Sequence, residues 1–228
     1  MSTLDRIRAR VERACQAAGR DPEEVTLVGA SKRQTLDRLH RAYDQGLRCF
    51  GENRVQEAEE KQPQLPGDID WHLIGPLQSN KVRRAAALFS TVHSVDRLKI
   101  ARGLDRAAAG TGRKLDAFLQ VHLGGEESKH GFDPKDLREG GLLGEMLATE
   151  NIRWRGLMAI PPPEDDPERA RHWFRELREL GIALRALDGR LGTDLSMGMS
   201  SDFEIAVEEG ATHIRLGSIL FGERPAAV

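Results

Sequence analysis

The sequence predicts one (β/α)8 TIM barrel, an α/β fold, with an extra helix at its N-terminus. Three observations predict it. Short, mostly apolar segments alternate with helical ones about eight times, and such alternation demands parallel pairing, because each crossover returns the chain to the same edge. The 228 residues match the roughly 200–250 that a single barrel occupies. No Gly/Ser/Pro linker divides them, so residues 1–228 read as a single domain.

The elements follow in order. Ser2-Thr3-Leu4-Asp5 reads as a capping box, and Leu4, Ile7, Val11 and Ala14 recur at helical spacing until Gly19 stops the segment. Val25–Ser31, β-branched at its start, is the first buried strand, and Leu36–Gln45 is its helix, closed by Gly46. Arg48–Phe50 pairs with the helical Val55–Lys61, Asp70–Ile74 with Asn80–Leu88, and Thr91–Ser94 with Arg97–Ala109. Ala117–Leu123 and Pro134–Thr149 form the next unit. Arg153–Ile160 leads through Pro161-Pro162-Pro163 into a long helix, Pro167–Leu187. Asp194–Ser196 precedes Phe203–Glu209, and His213–Leu216 precedes a last apolar turn, Ile219–Phe221.

Composition narrows the function. Hydrophobic residues make up 39% and charged residues 31%, which suits a globular chain and not a disordered one. Lys and Arg total 34 against 36 Asp and Glu, a net charge of −2, which argues against a dedicated nucleic-acid binder. Two cysteines, Cys15 and Cys49, exclude a disulfide scaffold and a Cys-rich zinc module. The seven histidines lack an HExxH-type spacing, so no catalytic metal is expected. The N-terminus has no signal-peptide core and no apolar run reaches membrane-spanning length, so the cytoplasm is the expected compartment, with no membrane partner.

In such a barrel the chemistry sits at the C-terminal ends of the strands. The first strand ends Gly29-Ala30-Ser31-Lys32. A lysine desolvated at the mouth loses basicity and can attack a carbonyl, whereas one that snorkels to solvent does nothing. Asn53, after the second strand, either binds a ligand or caps the Val55 helix. His72 is either an acid–base group or an interior residue. Leu195–Asp202 and His213–Ile219 both bring Gly and hydroxyl residues to turns that enter helices, where backbone N–H groups can cradle a phosphate. Ordinary capping by Ser200 or Ser201 is the competing reading. The charged loop Glu126–Gly131 either closes over the mouth or is a solvated surface.

Taken together, Leu27–Lys32, Phe50–Glu57, Trp71–Lys81, Gly156–Pro161, Leu195–Asp202 and Arg215–Arg224 resemble the pyridoxal phosphate homeostasis proteins, in the right order over nearly the whole chain. That family is similar to the N-terminal barrel of the alanine racemases, the fold type III of pyridoxal 5'-phosphate (PLP) proteins. The resemblance implies PLP as cofactor, held as a Schiff base on Lys32, with Asn53 near the ring substituents and Met158 in the pocket wall. It implies Ser200, Gly217 and Ser218 on the phosphate, and Arg215 on either the phosphate or the pyridine side. Three departures stand out: Arg33-Gln34-Thr35 where a Thr-Lys-Pro type turn is common, Ser218 where Thr is frequent, and His122 where Asn is frequent.

The function implied is intracellular PLP homeostasis, affecting amino-acid and keto-acid balance, without established turnover and with apo PLP-dependent enzymes as acceptors. A PLP-dependent racemase or decarboxylase is the alternative. A two-base racemase needs a group on each ring face, and the single tyrosine, Tyr43, falls in the first barrel helix. A Schiff-base aldolase of sugar phosphates is a third reading. With no second domain to supply a racemase-type dimer contact, a monomer is expected.

Overall fold

The computed structural model describes residues 1–124, 130–139 and 141–223. In chain order the elements are α1 (Thr3–Ala17), β1 (Thr26–Ala30), α2 (Leu36–Asp44), β2 (Cys49–Glu52), α3 (Val55–Lys61), β3 (Asp70–Leu73), α4 (Val82–Leu88), β4 (Thr91–Val95), α5 (Leu98–Ala109), β5 (Leu115–Gln120), α6 (Pro134–Arg138), α7 (Leu142–Leu147), β6 (Ile152–Met158), α8 (Arg171–Leu187), β7 (Asp194–Ser196), α9 (Phe203–Glu208), β8 (His213–Leu216) and α10 (Ser218–Phe221). The strands pair in parallel in sequence order, and β8 pairs back to β1, with Thr26 opposite His213 and Gly29 opposite Leu216. The expected barrel therefore closes.

The capping box forms as read: the Ser2 hydroxyl accepts from the Asp5 N–H at 3.1 Å and the Ser2 N–H donates to the Asp5 carboxylate at 2.8 Å. Leu4, Ile7, Val11 and Ala14 make the buried face of α1. The helix is tied to α9 by Arg10, whose guanidinium makes two hydrogen bonds to Glu204, and Arg20 just beyond it donates to the Val207 and Ala211 carbonyls.

Three helices differ from expectation at their breaks. Pro134–Thr149 is two short helices, α6 and α7, because Gly141 takes a left-handed conformation with φ 78° at the start of the second. Pro167–Ala170 is a 3-10 turn that leads into α8, with Asp166 capping it. Ser79–Lys81 is likewise 3-10, so α4 begins only at Val82. β5 ends at Gln120, and beyond it only Val121 forms a bridge, to Phe132. No helix among the described residues is long and apolar enough to cross a membrane.

Alternation along the strands sends one set of side chains out to the helices and the other into the barrel. Phe50, Leu73, Val92, Leu119, Leu157 and Ile214 belong to the outer core. Val28, Ala30, Cys49 and Ile74 form a small separate apolar cluster. The rest of the interior holds a polar group, His72, His93, Ser196, His213 and Arg215, all buried, with Phe118 packed among their rings.

Candidate functional site

At the C-terminal ends of the strands lies a cavity of about 570 Å³, within the range typical of small-molecule sites. Lys32, Asn53, Ser200, Arg215, Gly217 and Ser218 all line it, with Ala30, Ile74, Ile160 and Met199 as apolar wall. Six of the seven residues predicted for the cofactor thus meet at one place. The seventh, Met158, ends β6 wholly buried and does not line that cavity.

Lys32 is not on the strand, as expected, but in the turn that follows it. β1 ends at Ala30; Ser31 still donates its N–H to the Gly51 carbonyl at 2.9 Å, and the Gln34 N–H then closes the turn on the Ser31 carbonyl at 3.1 Å. Arg33 completes the turn in a left-handed conformation, φ 57°. Both neighbours of the half-buried Lys32 are clamped from β2 and α3. The Ser31 hydroxyl donates to Glu52 Oε1 at 2.7 Å, and Lys61 Nζ donates to the Ser31 carbonyl at 2.8 Å and to Glu52 Oε1 at 2.7 Å. The Arg33 N–H donates to Glu57 Oε2 at 2.9 Å. Glu52 is wholly buried, and burial raises its carboxyl against the pull of the Lys61 ammonium. Its Oε2 has no hydrogen-bond partner among the described residues.

Asn53 does not cap α3: Arg54 holds that position, without a side-chain cap. The Asn53 backbone packs against Gly75, where a Cβ would lie 2.7 Å from the Asn53 Cα and closer still to its carbonyl oxygen. Glycine there is a close-approach requirement that seats Asn53 at the mouth.

Across the mouth, the Ser200 hydroxyl accepts from the Gly217 N–H at 3.2 Å and the Ile219 N–H at 3.4 Å. An anionic oxygen needs the same donors. Gly217 has φ −111°, which any residue can adopt, and a Cβ there would meet nothing nearer than Ala30, at 3.8 Å. No neighbour fills the space beside Gly217, which opens into the cavity. Loop shape is fixed by Asp202, whose carboxylate accepts from the Met199 N–H at 2.6 Å.

Arg215 rises from β8 two residues short of Gly217, deeper in the barrel. Its guanidinium donates to the Ser196 hydroxyl at 2.7 Å and to the Ala159 carbonyl at 3.0 Å. Burial pulls its pKa down to about 10. Beneath it lie residues that sequence reasoning did not single out, His93, Ser196, His213 and Asp70, together with His72. The expected acid–base candidate, His72, sits inside the barrel below the mouth. Strands far apart in sequence supply this group, so no local spacing signals it.

Cys49, Asp70 and His72 put ligand-type atoms within 4.8 Å of one another at the N-terminal end of the barrel. The His72 ring is already hydrogen-bonded to Asp70, and burial pushes the Cys49 thiol well above its ordinary value. That grouping suits a metal poorly. Tyr43 donates to Asp68 at 2.7 Å, and neither residue lines the mouth. Of the loop Glu126–Gly131, residues 126–129 lie outside the described residues; His130 lines a hollow that adjoins the mouth, together with His122, the residue that departs from the usual Asn.

The family model of the alanine racemase N-terminal domain matches residues 2–225. The pyridoxal phosphate homeostasis protein of Pseudomonas aeruginosa is 47% identical over 223 residues, 97% of this chain and 94% of that protein. That of Aquifex aeolicus is 42% identical over 222 residues, 97% and 96% of the two chains. PipY of Synechococcus elongatus, solved with PLP bound, superposes with a TM-score of 0.82 at 41% identity, covering 93% of this chain and all of PipY. With that identity sustained from end to end on a closed barrel, the chain belongs to the pyridoxal phosphate homeostasis protein family, within the alanine racemase N-terminal domain proteins.

Proposed function

We propose that this protein binds PLP in the mouth of its barrel and serves PLP homeostasis, holding and releasing the cofactor without turning over a substrate. One observation carries the reading: a single cavity is lined at once by a clamped lysine, Lys32, and by the hydroxyl and N–H groups of Ser200, Gly217 and Ser218. The PLP-bound structure of PipY supports it.

In this reading Lys32 supplies the amine that condenses with the aldehyde of PLP, releasing water. Ser200, Gly217 and Ser218 hold the phosphate, and the Ser200 hydroxyl yields N–H donors to it. Arg215, deeper than the phosphate cradle, meets the pyridine side of the ring, and Asn53 lies near the ring substituents. Met158 backs the wall from below. Bound PLP supplies an electron sink; the protein supplies grip, orientation and charge. The chain acts as one domain, a monomer in the cytoplasm, with apo PLP-dependent enzymes as acceptors.

The racemase and decarboxylase reading gains nothing from Tyr43, held by Asp68 away from the mouth, or from His72, inside the barrel. The test is spectroscopic. Purified protein given PLP is expected to turn yellow, and borohydride is expected to fix the cofactor's mass on Lys32. A colourless protein that takes up no PLP overturns the reading and favours the sugar-phosphate aldolase. A yellow protein that racemises or decarboxylates amino acids at enzyme-like rates favours the alternative.

A further inference from the structure

We infer that Asp70, His72, His93 and Ser196 form a one-way hydrogen-bond relay, running through the barrel axis, that ties Arg215 in the mouth to a carboxylate at the opposite end. The four are positioning residues for whatever Arg215 addresses. The inference deepens the proposed PLP function and rests on the placing of Arg215 beside the ring.

The links are continuous. Arg215 Nη1 lies 2.7 Å from Ser196 Oγ, Ser196 Oγ 2.7 Å from His93 Nδ1, His93 Nε2 2.9 Å from His72 Nδ1, and His72 Nε2 3.0 Å from Asp70 Oδ2. Four of the five residues are buried, and only the Asp70 side chain, 51% exposed, reaches solvent. Phe118 stacks on the His93 ring at 4.6 Å and keeps water from the middle of the run. His213 flanks both imidazoles but spends its Nδ1 on Thr212 at 2.9 Å, so it is a neighbour and not a link.

Direction follows from the ends. A guanidinium can only donate and a carboxylate can only accept. Asp70 therefore takes the hydrogen on His72 Nε2. His93 is wholly buried with no carboxylate against it, and a second buried cation near Arg215 is costly, so we assign both imidazoles as neutral, with the one hydrogen of His72 given to Asp70. His72 Nδ1 is then bare and accepts from His93 Nε2, and His93 Nδ1 is bare and accepts the Ser196 hydroxyl hydrogen. Ser196 is left to accept from Arg215. Every donor points from the mouth toward Asp70. No proton moves; aligned dipoles strengthen one another and bring a distant negative charge to bear on a buried guanidinium. Burial keeps the His93 imidazole well below its usual range, in accord with the neutral assignment.

Two measurements test this. In the cofactor-free protein carrying ¹⁵N-histidine, long-range ¹H–¹⁵N spectra are expected to show His72 and His93 with hydrogen on Nε2 and a bare Nδ1, assigned with His72→Gln and His93→Gln. Hydrogen on Nδ1 of either ring, or an imidazolium, overturns the relay. In the full chain loaded with PLP, Asp70→Asn and Ser196→Ala are expected to shift the visible band and to weaken PLP binding roughly fivefold. Asp116→Asn, at the same end of the barrel but bonded to Arg153, is expected to do neither. Unchanged band and affinity in Asp70→Asn and Ser196→Ala, while Arg215→Lys shifts both, overturns the relay. An unshifted Arg215→Lys overturns the ring-side placing of Arg215 and this inference with it. Absence of PLP uptake by the native chain instead removes the functional reading, and the imidazole spectra then decide the relay alone.

Discussion

The Ser200 hydroxyl sits 3.2 Å from the Gly217 N–H, so the loop after β7 supplies the cap for the turn after β8. Two segments that the sequence analysis reads together as turns suited to a phosphate are joined directly by this bond. In the cofactor-free protein the hydroxyl occupies donors that an anion would claim.

Gly217→Val tests that arrangement. The new side chain enters the cavity and not the core, since a Cβ there would meet nothing nearer than Ala30, at 3.8 Å. PLP affinity is expected to fall at least about tenfold, or about 1.4 kcal/mol, while Tm stays near that of the native chain. Fluorescence titration with PLP beside thermal denaturation checks it; equal affinity would remove Gly217 from the phosphate site.

The turn that carries Lys32 is held by a buried ion pair. Lys61→Met strands the Glu52 carboxylate, wholly buried at the end of β2. Removing one partner of such a pair costs about 3–5 kcal/mol. Pairing Lys61→Met with Glu52→Gln is expected to recover much of that loss. Urea unfolding of the two single variants and the double variant gives the coupling, and the rate of PLP attachment to Lys32 is expected to fall in Lys61→Met.

Gly75→Ala is expected to destabilise the protein by about 1–3 kcal/mol, the usual cost of forcing extra volume into a packed position. The added methyl collides with the Asn53 backbone. If Asn53 serves the ring, PLP affinity falls with it. A variant with native stability and native affinity would show that the mouth tolerates a displaced Asn53.

Buried imidazoles make the fold acid-labile. Burial pushes His213 down to about 3 and His93 well below its ordinary range. In the unfolded chain both titrate near about 6.5. Below that pH the unfolded chain binds more protons, so stability is full above it and falls as the solution is acidified toward the folded values. Two such groups contribute a limiting slope of about 2.7 kcal/mol per pH unit, and His213→Gln is expected to remove about half of it. Urea midpoints between neutral and mildly acidic pH measure the difference between native and variant.

The barrel was legible because parallel strands must be separated by crossovers, and the crossovers here are helices with clear apolar faces. Breaks inside helical stretches were less so: the Gly140-Gly141 pair inside Pro134–Thr149 is a breaker signal that the helical reading passed over, and Gly141 turns left-handed where the stretch divides. Mouth residues were legible where they sit in local motifs, such as Lys32 after an apolar strand and Gly217-Ser218 before a turn. Asn53 stayed ambiguous, because its type serves capping as readily as binding, and only the geometry shows Arg54 in the cap position. The axial polar residues were illegible, since His93 and Ser196 are 103 residues apart and meet only when β4 and β7 share one interior.

The N-terminal helix has a consequence for biosynthesis. Its Arg10 and the nearby Arg20 are fastened to Glu204, Val207 and Ala211, and β1 completes its pairing only with β8. A nascent chain can bring its opening segment against Gln45, Gly46 and β2 early, but the contacts with Glu204, Val207, Ala211 and β8 wait until that stretch emerges. Stalled polypeptides ending before residue 203 are expected to stay protease-sensitive, because the barrel closes only when β8 pairs with β1.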